Sequence, residues 1–317
     1  MTSNTFLRFI AILLITNSHL DHFYPLSQLG TGGAIGNALF FMLSGYGLVL
    51  SENNQPRTFL PWYKRRIARI YPSMILAVIF IIIVPQAAWR NWDFVNYVQT
   101  LVWPTPYWFI SALMIFYIVF FILLKRQNPK LFVIGICALA IPYLFFYLTM
   151  VDLSRYSIEG PGNFKSIFYL QTMLFGGYLA SRTRFINTNI IRDGVALLLF
   201  VILYYGILLL INRGYGSHFQ AVTHVLMFPI TFFFLKVSFS KVITDHLMNT
   251  KYVGAFISLV AGLTLEIYML QYNVYSHALL KDIRFPLNIV IFWIIVITLS
   301  FILNRASRFI AGRLINA

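Results

Sequence analysis

The chain has 317 residues, of which 59% are hydrophobic and only 10% are charged, against about 25% charged in a soluble domain. With a mean hydropathy of +0.77, this excludes a soluble globular protein and points to a polytopic membrane protein. The net charge of +15, from 24 Lys and Arg against 9 Asp and Glu, would suggest nucleic acid in a soluble chain; here it points to positive cytoplasmic loops and an anionic ligand at that face.

Ten apolar segments are predicted, at roughly 5–20, 34–51, 70–85, 107–124, 131–150, 164–181, 192–211, 219–236, 254–279 and 286–304. The connections are short, so residues 1–317 read as a single all-α integral-membrane domain without a fused soluble domain. No internal repeat is visible. The N-terminus does not resemble a cleaved signal peptide, because its charge lies inside the apolar run and no A-x-A site follows. A cytoplasmic N-terminus places Arg90, Arg155, Lys165, Arg213, Lys281 and Arg284 outside and the other eighteen Lys and Arg inside, which predicts both termini in the cytoplasm. Trp89, Trp92, Trp103 and Trp108 then mark the outer interface. The single cysteine, Cys137, lies in an apolar run and is expected in the core.

The first segment carries two ionisable residues, Arg8 and His19, inside an otherwise apolar run. On a helix, eleven residues make about three turns. The two side chains would share a face within about 20°, roughly 16 Å apart along the axis. Such residues are costly in a bilayer and are rarely present without a task. Interfacial anchoring is the alternative. At the outer end, Asn17, Ser18, His19, Asp21 and His22 form a dense polar group. A histidine there can serve as general base towards a hydroxyl. His and Asp alone do not make a metal-ligand pattern, and no metal site is predicted.

Next come Gly36, Ser44, Gly45, Tyr46 and Gly47 in G-N-A-L-F-F-M-L-S-G-Y-G, small residues suited to close helix packing. In Y-K-R-R-I-A-R-I-Y-P, residues 63–72, four cations fall within six residues at a cytoplasmic helix start. Arg66 and Arg69 are i, i+3, so both can address one anion, and paired guanidinium groups suit phosphate. A positive-inside anchor on anionic lipid is the competing reading. Trp108 and Phe109 enter the fourth segment as interface anchors. Glu266 and Gln271 lie inside the ninth, where a carboxylate needs a partner, expected to be a buried cation or protonated donor. His224 and Asn288 are expected to be satisfied core residues.

Together these residues resemble acyltransferase family 3, bacterial proteins of the wider transmembrane acyltransferase superfamily. The resemblance rests on the R-x10-H of Arg8 and His19, F-F-M-L-S-G-Y at 40–46, the R-x-x-R of Arg66 and Arg69, the W-F of Trp108 and Phe109, and L-E-I-Y-M-L at 265–270. It implies a multi-pass protein of the bacterial cytoplasmic membrane. That protein would move an acyl group, usually acetyl, from cytoplasmic acetyl-CoA (acyl-CoA) to a hydroxyl of an extracytoplasmic or lipid-linked glycan. Arg8 and His19 would be catalytic. Arg66 and Arg69, with Arg65, Tyr46, Ser44 and Trp108, would bind the donor. Asn17, Asp21, Glu266 and Gln271 would face the acceptor. Many members have a histidine where this chain has Gln271. No acyl hand-off to a fused domain is expected, and no nucleic-acid partner. A transporter or flippase for an anionic or glycan substrate is the alternative, disfavoured by the lack of a repeat and of paired broken helices. A non-catalytic membrane subunit is the third reading, disfavoured by the intact Arg8, His19, Arg66 and Arg69.

Overall fold

The structure, a computed structural model, describes residues 2–83, 92–103, 107–126, 128–160, 162–182, 187–276, 280 and 282–316. Among them every regular element is helical. The helices are α1 (Thr2–Asn17), α2 (Gly33–Asn54), α3 (Phe59–Val78), a short α4 (Phe94–Tyr97), α5 (Trp108–Lys125), α6 (Lys130–Met150), α7 (Gly162–Ser181), α8 (Ile190–Asn212), α9 (Ala221–Ser238), α10 (Val253–Gly262), α11 (Thr264–Tyr275) and α12 (Leu287–Asn316). Each of the ten predicted segments falls on one of these helices or on the α10–α11 pair.

Among the described residues, seven helices are long and apolar enough to cross a membrane, or eight if α10 and α11 form one span. The expected ten exceeds this by α1 and α7. At 16 residues, α1 rises about 24 Å, short of a hydrocarbon core of about 30 Å. Helix α7 is diluted by Asn163, Lys165, Gln171 and Thr172.

Arg66 and Arg69 lie on α3, which begins at Phe59. Two expectations are corrected. The ninth segment is broken: α10 and α11 meet at Leu263 with a bend of 77°. Cys137 is exposed. It lies on α6 among other exposed apolar residues, including Ile134, Ile141 and Phe145, a surface that suits lipid. Trp89 and Lys281 lie outside the described residues.

The chain divides into two compact units. One comprises residues 1–11, 34–56 and 119–258; the other comprises 12–33, 57–118 and 259–317. In the first, α6 packs on α7 and α8 on α9. Helix α2 approaches α7 backbone to backbone. A Cβ at Gly45 would come within 1.9 Å of the Met173 carbonyl oxygen, and one at Gly176 within 1.9 Å of that of Met42. The glycine of F-F-M-L-S-G-Y, Gly45, therefore serves packing, as small residues do between membrane helices. Helix α8 is capped by Asn189, whose side chain accepts from the N–H groups of Ile191 and Arg192. Its buried Asp193 pairs with Lys236 Nζ of α9 at 2.7 Å and with Arg192 Nε at 3.0 Å.

In the second unit α12 packs on α3 and α11, and α3 on α11. Polar side chains join these helices where water is scarce. Glu266 Oε1, on α11, accepts from Ser73 Oγ of α3 at 2.7 Å and from Asn304 Nδ2 of α12 at 2.9 Å. The W-F of α5 meets the L-E-I-Y-M-L of α11, the Phe109 and Tyr268 rings lying 5.3 Å apart.

Candidate active site

The candidate site is built at the end of α1, in the second unit. The helix stops at Asn17. His19 sits in the turn that follows, its backbone N–H donating to the Thr16 carbonyl at 3.0 Å. The face shared with Arg8 is therefore not continued by helical geometry as far as His19. The turn frees the imidazole from the helix surface. The side chain is exposed, and its ring lies parallel to that of Tyr275, centroids 6.0 Å apart. Among the described residues neither imidazole nitrogen has a hydrogen-bond partner. Although the residue is exposed, neighbouring atoms shield part of the ring from water, and this desolvation lowers the His19 pKa from 6.5, against a smaller upward pull from Asp21. A neutral imidazole with an open nitrogen is what a general base requires.

The surrounding loop is pinned by Asn17. Its Nδ2 donates to the carbonyls of Leu29 at 2.7 Å and Thr31 at 2.9 Å, and its Oδ1 accepts from Tyr24 Oη at 2.5 Å. Both amide hydrogens are thus spent on holding residues 21–31 against the end of α1. Two glycines permit the close return. Gly32 has φ +103°, and a Cβ on Gly30 would fall 2.4 Å from the Asp21 Cα. Asp21 and His22 are exposed, with Asp21 Oδ1 3.4 Å from His22 Nδ1.

One turn below, Thr16 Oγ1 donates to Gln271 Oε1 at 2.8 Å. Both residues are buried. Gln271 thereby fastens α11 to the helix that leads to His19. Glu266 lies in the same unit, and of the two kinds of partner expected, a buried cation or a protonated donor, it has donors, a hydroxyl and an amide. Its partners suggest a direct test. Glu266→Gln retains an oxygen that can accept both bonds and should stay close to wild type in stability and turnover. Glu266→Leu leaves the buried Ser73 without this acceptor, at about 1–3 kcal/mol, takes a hydrogen bond from the half-buried Asn304, and should melt earlier in detergent. Equal melting of the Leu variant and wild type would remove Glu266 from the framework.

The cationic segment also belongs to this unit. Arg66 is half-buried, its guanidinium 4.7 Å from the centroid of the buried Trp62 ring. Trp62 is held edge-on by Tyr117 at 5.9 Å. A guanidinium resting on an aromatic face is pre-oriented and keeps its donors. Arg65 and Arg69 are exposed. Trp108 is half-buried beside Phe109.

The remaining predicted site residues lie in the first unit. Arg8 is half-buried on α1. Ser44 Oγ donates back to the Phe40 carbonyl at 2.9 Å. Tyr46 is buried, its ring 6.3 Å from that of Phe239. The two residues expected to be satisfied in the core, one in each unit, are so. His224 meets Tyr143 Oη and Glu159 Oε1, each at 2.9 Å. Asn288 Nδ2 donates to the Phe23 carbonyl at 3.2 Å. Sequence reasoning missed Thr16, Ser73, Tyr275 and Asn304. Their only signal is position: Thr16 precedes Asn17 in T-N-S-H, and Ser73 follows the cationic segment in Y-P-S.

A family model described as an acyltransferase domain, that of acyltransferase family 3, matches residues 5–305. No curated protein and no solved structure matches the chain. The match covers nearly the whole sequence, and the chain belongs to acyltransferase family 3.

Proposed function

We propose that this membrane acyltransferase moves an acetyl group from cytoplasmic acetyl-CoA to a hydroxyl of an extracytoplasmic or lipid-linked glycan, in the cytoplasmic membrane of a bacterium. The observation that carries the reading is the imidazole of His19, open at both nitrogens among the described residues, at the end of an apolar helix in a chain of this family. In the reaction one imidazole nitrogen of His19 takes the acceptor hydroxyl proton as the oxygen attacks the thioester carbonyl. The tetrahedral oxyanion then collapses. The C–S bond breaks, the ester forms, and the CoA thiolate takes the proton from the imidazolium. Arg66, pre-oriented on Trp62, and Arg69 receive CoA phosphate, with Arg65 adding charge. Ten spans with both termini cytoplasmic put these arginines on the donor side. A single cysteine placed at 187–190, in a Cys137-free background, should be labelled only from the cytoplasm. Labelling from outside would reject this topology.

The donor clamp predicts a binding defect. Replacing Arg66 or Arg69 by Ala should weaken acetyl-CoA binding on the order of tenfold to a hundredfold, since a charge-assisted contact contributes about 1.5–3 kcal/mol. Lysine should restore it only in part, lacking the planar fork. Unchanged affinity in both alanine variants, measured calorimetrically in nanodiscs, would leave only an anchor for anionic lipid.

The bend at Leu263 keeps a transporter in view, because broken helices recur in transporters. Purified protein with acetyl-CoA and extracted surface glycans separates the two. An acetyl mass shift on the glycan with stoichiometric release of CoA thiol supports transfer. Glycan movement without thiol release overturns it.

A further inference from the structure

One aromatic ring from His19, that of Tyr275, the second unit holds an open cavity of about 710 Å³, between the loop after α1 and the segment leading into α12. Ligand pockets of this size combine apolar walls with a few convergent polar groups. Here the walls are aromatic. The Tyr24 and Phe285 rings lie 5.8 Å apart, and His22 and Tyr275 lie 5.5 Å apart. The charged groups are Asp282 and Arg284, both lining the cavity and both exposed. Among the described residues neither side chain makes a hydrogen bond or ion pair. Each therefore brings its full hydrogen-bonding capacity to whatever enters.

We propose that this cavity is the acceptor subsite and that it takes a neutral pyranose. The reading rests on His19 as the base for acyl transfer. The C–H face of a sugar ring covers Tyr275 or Phe285, a large apolar contact with little side-chain entropy to lose. The two carboxylate oxygens of Asp282 accept from neighbouring hydroxyls, and the guanidinium of Arg284 donates to ring or hydroxyl oxygens. A lipid tail would leave both charges unsolvated and unpaired. A phosphate or uronate would gain Arg284 but meet repulsion from Asp282. An uncharged polyol satisfies both charges at once. Tyr275 links subsite to chemistry, because the ring that walls the cavity also lies parallel to His19.

The test uses the full chain in lipid nanodiscs and saturation-transfer NMR. The probes are methyl glycosides of glucose, galactose, mannose and rhamnose, with methyl glucuronide and inorganic phosphate as anionic competitors. At least one neutral glycoside should receive saturation. The Asp282→Ala/Arg284→Ala double variant should weaken it by about tenfold or more, since each lost charged contact is large. Both sites are exposed, so acetyl-CoA affinity and melting should not change. Tyr275→Phe should keep the signal and Tyr275→Ala should lose it. Absence of saturation for every neutral glycoside, undiminished binding in the double variant, or preference for glucuronide or phosphate would each overturn the assignment. The two readings fail separately. Glycoside binding that depends on Asp282 and Arg284, without acyl transfer to any hydroxyl, sinks the enzyme reading and leaves the subsite. Acyl transfer with unchanged acceptor KM in the double variant sinks the subsite and leaves the enzyme.

Discussion

His19→Ala and His19→Gln should abolish detectable acyl transfer while acetyl-CoA still binds. Positioned proton transfer contributes about a hundredfold to ten-thousandfold in rate. His19 has no hydrogen-bond partner among the described residues, so its removal leaves no buried group stranded. His19→Ala should therefore melt as wild type does. His22→Ala is the comparison: His22 lies in the loop, 3.4 Å from Asp21, and walls the cavity, so its loss should raise the acceptor KM and leave transfer detectable. The pH profile follows from the direction of the His19 shift. The base works as neutral imidazole, and desolvation lowers its pKa from 6.5. Transfer should rise with pH through one ionisation below 6.5, be complete near neutrality, and fall on acidification. An Asp21→Asn variant removes the smaller upward pull and should move the midpoint further down. Product formation and CoA binding are to be measured on one sample of His19→Ala. Robust transfer there refutes the mechanism. Joint loss of binding and transfer reassigns His19 to the donor site.

Helix positions were legible in the sequence because an apolar run of about 17–25 residues can satisfy its backbone in a bilayer only as a helix. The predicted starts and stops of α2, α5, α6 and α8 fall within a few residues of the observed ones. What stayed hidden was local. The stop of α1 at Asn17 leaves no Gly or Pro signal. It is set by Asn17 bonding to a loop twelve and fourteen residues away. The break at Leu263 has only a faint signal, Gly262 before it and Thr264 after it, set within a long apolar run. The R-x-x-R pair was visible as charge, but its platform, Trp62, reads from sequence as an ordinary interface aromatic. Partners of buried polar groups were the least legible. Glu266 called for a partner on cost alone, yet Ser73 and Asn304 lie 193 and 38 residues away. Only packing brings them together.

The largest stability effect is expected far in sequence from His19, at Glu159. This carboxylate closes a chain of four side chains in the first unit. Tyr143 Oη meets His224 Nδ1 at 2.9 Å, His224 Nε2 meets Glu159 Oε1 at 2.9 Å, and Tyr169 Oη donates to Glu159 Oε2 at 3.0 Å. The Phe168 ring stacks on His224 at 3.8 Å. One neutral tautomer satisfies all three contacts: Nε2–H donates to the carboxylate and Nδ1 accepts from the tyrosine. The chain ties α6, α7 and α9 to the loop before α7. Glu159→Ala leaves the Nε2–H of His224, 2% exposed, without its acceptor, at about 1–3 kcal/mol, and takes one hydrogen bond from the fully buried Tyr169. It should melt well below wild type. Glu159→Gln keeps both acceptor and shape and should lose less. Burial pushes the Glu159 carboxyl up, but hydrogen bonds from His224 and Tyr169 and the charge of Lys165 outweigh it and hold the pKa below 4.5. A depressed carboxyl contributes stability that is full above its unfolded value and is lost as pH falls through the folded one. Wild type should therefore lose stability on acidification below about pH 4.5, and Glu159→Gln should lose less over that window. Because the clamp is structural, turnover of the folded Glu159→Gln protein at low temperature should match wild type. A fall in turnover without a fall in melting temperature would instead make Glu159 and His224 part of a proton path.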